Sequence, residues 1–223
     1  MRLDKCPSTL GVGSRKYVKE LIASGIVSVN GMVVRSADAS VTEDDEILLN
    51  GSPVAHEDFE YYVLYKPAGY LSACSDVRRP VVMELVPSKR KDLFPVGRLD
   101  FDTEGLLLIT NDGELNHRLL SPKYEVHKKY YAELDKDLPE DAKEKLSQPV
   151  AFKDFISRPA VLEIIDARRA YLTVTEGKYH EVKRLFQSIG CEVTYLRRET
   201  FGRLTLNGLK RGECRKISIE MIE

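Results

Sequence analysis

The 223 residues contain four cysteines, Cys6, Cys74, Cys191 and Cys214, and no two of them form a Cys-x-x-Cys pair. That spacing argues against a disulfide framework and against a zinc site built from local ligands. No apolar run approaches the roughly 18 residues that a membrane helix needs. The opening MRLDKCPSTL has no apolar stretch of the kind that leads a secreted chain, so a cytoplasmic protein without membrane contact is expected. An excess of positive charge is also missing. Lys and Arg number 34, Asp and Glu number 35, and the net charge is −1. This excludes a polycation that coats nucleic acid indiscriminately, but leaves open basic groups gathered on one face. No glycine loop of the phosphate-cradling type occurs either, so no nucleotide cofactor is expected.

Hydrophobic residues make up 43% of the chain and charged residues 31%, enough for a real core under a well-solvated surface. The length suggests one large domain accompanied by a small one. Basic residues come in small groups, among them Arg15/Lys16/Lys19, Arg78/Arg79, Lys89/Arg90/Lys91, Lys183/Arg184 and Arg197/Arg198.

In the first fifty residues, Ser14 stands where a helix cap belongs. Val18, Leu21 and Ile22 then form one apolar stripe, and Gly25 is placed to end the helix. Asn30-Gly31 between two β-rich runs predicts a tight type I′ hairpin. Ile47-Leu48-Leu49 reads as a further strand. The order Arg2-Leu3-Asp4, then Gly13-Ser14-Arg15 before a helix, then Gly-x-Val-x-Val-Asn-Gly resembles the RNA-binding domain of the ribosomal-protein S-four type over residues 1–50. The resemblance implies an RNA-binding face carrying Arg15, Lys16 and Lys19. Three cations at a helix start neutralise phosphates without reading bases. Residues 36–46 are acidic, with Asp38, Glu43, Asp44, Asp45 and Glu46, so this module has no overall positive charge. The polar stretch 52–59, SPVAHEDF, reads as a linker, dividing a domain over 1–55 from a second over 60–223.

In the second domain, EYYVLYK (60–66) reads as a strand and Leu106 to Thr110 as a buried one. Asp112 is placed to cap the helix after it. Between them, Asp100, Asp102 and Glu104 occupy a polar loop that feeds into the core strand, a place where functional residues concentrate. A calcium loop starting at Asp100 fails, because its twelfth position is Asn111 and its preceding positions are apolar. A magnesium-dependent nuclease using the three carboxylates stays open.

The run GRLDFDTEGLLLITNDG resembles the Gly-Arg-Leu-Asp-x-x-Thr-x-Gly signature of the pseudouridine synthases. HKKYYAEL (127–134) resembles the family's Lys-x-Tyr strand, and EGKYHEVKRLF (176–186) its Glu-Gly-Lys-x-His-Gln-Val-Lys-Arg segment, with Glu181 where Gln is usual. With the leading module, SRPAVLEII (157–165) brings the chain nearest the type that modifies small-subunit ribosomal RNA. The resemblance implies an α+β fold, with a small RNA-binding domain of helices and a β-hairpin. A larger catalytic domain with a mostly antiparallel mixed sheet flanked by helices would follow it. It assigns catalysis to Asp100, Tyr130 and Lys183, with no cofactor and no metal. Ribosomal RNA or a pre-ribosomal small subunit would be the partner of a monomeric enzyme. The reaction moves uracil from a nitrogen to a carbon linkage, for which an ionised carboxylate is a suitable nucleophile.

Lys183, at the edge of a helix whose buried stripe is Val182, Leu185, Phe186 and Ile189, is the cation expected beside Asp100. Tyr130 is expected to stack on an extruded base. Arg98, Arg184 and His180 are expected to contact RNA. The related large-subunit synthases and a non-catalytic ribosome-assembly factor are the alternatives.

Overall fold

The computed structural model describes residues 2–5, 15–42, 44–53 and 59–222. Ser14, most of the 52–59 linker and the Arg15 side chain lie outside this range. The chain divides into two compact units, residues 1–59 and 60–223.

In the first unit, helix α1 (Arg15–Ser24) turns Val18 and Ile22 inward, where they meet Leu3, Val27, Val41 and Ile47. Strands β1 (Val27–Val29), β2 (Met32–Val33), β3 (Ile47–Leu49) and β4 (Ser52–Pro53) form a sheet in the order β2-β1-β3-β4. Asn30 and Gly31 both have positive φ, 50° and 79°, as a type I′ turn requires. Met32 therefore pairs back onto Val29.

The second unit is built on nine strands. These are β5 (Tyr61–Lys66), β6 (Phe94–Pro95), β7 (Glu104–Thr110), β8 (Lys128–Leu134), β9 (Val161–Asp166), β10 (Arg169–Val174), β11 (Val193–Phe201), β12 (Leu204–Thr205) and β13 (Cys214–Ile217). Their order is β13-β5-β7-β11-β8-β10-β9, with β6 on β7 and β12 on β11. Among the described ladders only β7 and β11 run parallel. This is the α+β architecture with a mostly antiparallel mixed sheet.

Helices α2 (Gly113–Leu120), α3 (Ala142–Leu146) and α4 (Glu181–Ser188) accompany the sheet. Asp112 caps α2, accepting from Leu115 N at 2.8 Å, an interaction of about 1 kcal/mol. Val182, Leu185 and Phe186 of α4 join the same core as Tyr130, Leu172 and Leu196 of the sheet. Strands β5 and β7 are buried along their whole length, which is why they read as near-continuous apolar runs. Strand β8 instead alternates. Lys128, Tyr130, Ala132 and Leu134 face in, while Lys129, Tyr131 and Glu133 stay half-exposed. Val82 is fully buried within a short 3-10 turn, and its N–H donates to Leu71 O at 2.9 Å.

Register aligns one row of residues across five strands. Lys66 of β5 stands beside Gly105 of β7, then Arg198 of β11, Tyr130 of β8 and Leu172 of β10. Gly105 is required there. Its φ is +110°, and a Cβ on it would lie 2.3 Å from Arg198 O, a backbone atom that cannot move aside.

Candidate active site

Leu99 anchors the loop that enters β7. It is buried, its N–H donates to Ser72 Oγ at 3.1 Å, and Ser72 Oγ donates to Leu99 O at 3.0 Å. With Leu99 held inward, Arg98 is left exposed and Asp100 half-buried at the edge of a cleft. Arg98, Asp100, Tyr130, His180 and Lys183 all line that cleft. Lys183 Nζ lies 3.3 Å from Asp100 Oδ2, and His180 Nε2 lies 3.5 Å from Asp100 Oδ1. Tyr130 contributes a ring that is 9% exposed.

Lys183 is shared. It donates to Asp102 at 2.7 and 2.9 Å, closer than its approach to Asp100. Partial burial tends to raise the Asp102 carboxyl, but the hydrogen bonds and charge of Lys183 outweigh it and hold Asp102 below the usual range. The alternation of Asp100 and Asp102 in the loop thus brings two carboxylates to one ammonium. His180 reaches the cleft from a left-handed backbone position, φ 52°, with its ring stacked on exposed Tyr179 at 3.8 Å.

Beneath the loop sits a residue that strand patterning reads only as the end of β5. Lys66 is 0% exposed, and its Nζ donates to the carbonyls of Thr103 at 2.7 Å, Asp100 at 3.0 Å and Pro67 at 3.1 Å. Burial pushes its ammonium down to about 8, while the charges of Asp102, Asp100 and Glu104 pull the other way. One cation therefore gathers the carbonyls of the turn that presents Asp100. Arg198, also buried, donates from Nε to Leu106 O at 2.8 Å and lays its guanidinium over Phe201.

The remaining candidates sit elsewhere. Arg184 is paired with Asp154, Nη1 to Oδ2 at 3.0 Å, and stacks over Phe152 and Phe155. It does not line the cleft. Lys16 and Lys19 are exposed on α1 of the first unit, with Lys19 Nζ 3.7 Å from Asp4.

Residues 60–188 match the RNA pseudouridylate synthase family, and residues 1–47 match the S4 domain. The chain belongs to the RNA pseudouridylate synthase family. It is thereby an isomerase joined to an RNA-binding module. It is 38% identical to the ribosomal large subunit pseudouridine synthase B of Bacillus subtilis, covering 97% of this chain and 92% of that one. It is 37% identical to the ribosomal small subunit pseudouridine synthase A of Escherichia coli, covering 100% and 98%. A crystal structure of a pseudouridylate synthase superposes with a TM-score of 0.73 at 31% identity, covering 100% of this chain and 98% of that one.

Lys66 and Arg198 are not singled out by the sequence. Lys66 and Arg198 lie in runs dominated by β-forming neighbours, and their significance rests on a register that links strands far apart in sequence. The one available signal is chemical, a lysine closing an otherwise apolar strand directly before Pro67, where a buried charge needs a purpose.

Proposed function

We propose that this chain converts a uridine of ribosomal RNA, in the small subunit, to pseudouridine, with Asp100 as the nucleophile. The observation that carries the reading is the Asp100 carboxylate, held between Lys183 and His180 at the edge of the cleft that Tyr130 lines. The reaction breaks the bond between N1 and the ribose, turns the uracil, and joins C5 to the ribose. The proton leaving C5 is balanced by one gained at N1. Asp100 attacks the nucleotide as a carboxylate with Lys183 3.3 Å away, and the bond it forms is broken again as C5 joins the ribose, which regenerates the carboxylate. Tyr130 stacks on the uracil once it has left its helix, and its hydroxyl serves proton transfer. Arg98 and His180, at the cleft wall, hold the flipped nucleotide's phosphates. Arg15, Lys16 and Lys19 bind RNA backbone from the leading unit, and Arg184 extends the RNA contact if it exchanges Asp154 for phosphate. No metal is required, and the enzyme works as a monomer in the cytoplasm.

The relative named for the large subunit is as similar as the one named for the small subunit, which favours large-subunit RNA as the second reading. The test treats both rRNAs, purified from cells lacking this protein, with the chain in the absence of added metal, and then maps pseudouridine chemically. One new site in small-subunit RNA is expected. A new site in large-subunit RNA instead moves the assignment. No new site on naked RNA or on partly assembled subunits leaves a binding factor, and shortened RNA with sensitivity to EDTA leaves a nuclease.

A further inference from the structure

The turn that delivers His180 and Lys183 to the cleft is closed by two acidic residues pointing inward. Glu176 is 6% exposed and Glu181 is 4% exposed. Each accepts one backbone N–H. Glu176 Oε1 takes that of Arg158 at 2.7 Å, tying the turn to the segment before β9. Glu181 Oε2 takes that of Lys178 at 3.1 Å, closing the turn on itself. Both residues line the cleft, and the nearness of Glu176 raises the Glu181 carboxyl. Glu181 Oε1 is fully buried and has no donor among the described residues. A buried carboxylate oxygen that faces another carboxylate and receives no N–H or O–H is costly. One proton on the pair removes both the orphan acceptor and the repulsion.

The neighbouring charges do not supply that donor. From β8, Lys128 is buried and its Nζ donates to Val126 O at 2.9 Å. From β11, Arg198 donates from Nε to Leu106 O. On the turn itself, Lys178 Nζ stands 6.0 Å over the Phe155 ring, and His180 and Lys183 face Asp100. The Arg158 guanidinium is paired with Glu125 at 2.6 Å. Burial pushes the Glu181 carboxyl up to about 7, the contact with Glu176 adds to this, and Lys128 opposes it.

We propose that Glu176 and Glu181 hold one proton between them, and that this shared proton fixes the turn presenting His180 and Lys183 to Asp100. Glu181 is thus a positioning residue. Its effect on turnover rests on Asp100 being the reacting group. Losing the proton leaves two ionised carboxylates in contact inside the protein, and the turn yields. Lys183 and His180 then lose their places beside Asp100, and with them the preorganisation of the cleft. The folded chain binds this proton more tightly than the unfolded chain, so stability falls as pH rises from the ordinary glutamate range through about 7.

The test pairs carboxyl NMR of the full chain, labelled at glutamate, with a pH profile of pseudouridine formation. In the wild type, one glutamate carboxyl titrates near neutrality, and that signal disappears in Glu181→Gln. From pH 7 to 8, kcat/KM falls by about fivefold in the wild type and by under about twofold in Glu181→Gln, whose amide is neutral throughout. Glu176→Gln gives the same signature and serves if Glu181→Gln does not fold. The proposal is overturned if every wild-type glutamate titrates in the ordinary range, or if the variant keeps the alkaline fall. If the Asp100 reading is at fault instead, Asp100→Asn keeps its turnover while the neutral glutamate titration persists.

Discussion

Lys183 and Lys66 both reach the Asp100 loop, and they reach different atoms. Lys183 arrives from α4, remains partly solvated, and meets the carboxylates of Asp100 and Asp102. Lys66 arrives from β5, is sealed from water, and meets backbone carbonyls of the same loop. Lys183 meets the side-chain charges of the Asp100 loop, and Lys66 holds the shape of the turn beneath them. A partly solvated ion pair contributes little to stability, so evolution can adjust it for chemistry at small cost. A buried ammonium cannot lose its partners without leaving a charge or several carbonyls unsatisfied. The site therefore joins an adjustable electrostatic layer to a rigid structural one.

The contrast can be broken experimentally. The largest effect is expected from Asp100→Asn, which removes the carboxylate that Lys183 serves and keeps the carbonyl that Lys66 holds. Turnover should fall by at least ~10³-fold, the scale at which loss of a nucleophile registers, with RNA affinity and folding little changed. An active variant would remove Asp100 from the mechanism. Next, Lys66→Met should lower unfolding free energy by about 2–4 kcal/mol, because the carbonyls of Pro67, Asp100 and Thr103 lose their donor inside the protein. Lys183→Met should cost under about 1 kcal/mol while still reducing turnover. Denaturant titrations of the two variants decide this, and equal losses would erase the distinction between the layers. The smallest effect is expected far from this loop in sequence, on α1. Arg15→Ala with Lys19→Ala should weaken RNA binding and reduce the slope of log affinity against log salt by up to about 2. An unchanged slope would take that helix off the RNA surface.

The sequence alone determined the parts whose physics is local. The Asn30-Gly31 hairpin, the apolar stripes of α1 and α4 and the Asp112 cap all follow from backbone preference and from burial of one face. The Gly-Arg-Leu-Asp run was likewise enough to point to the family and to single out Asp100. Tertiary structure decided what depends on strand register and burial. It turned Arg184 to Asp154 and divided Lys183 between two carboxylates. It placed Lys66 under a loop 34 residues away, and set Glu176 against Glu181. No window of sequence contains these contacts, because each is fixed by the pairing of distant strands. Their energies arise only once water has been excluded around them.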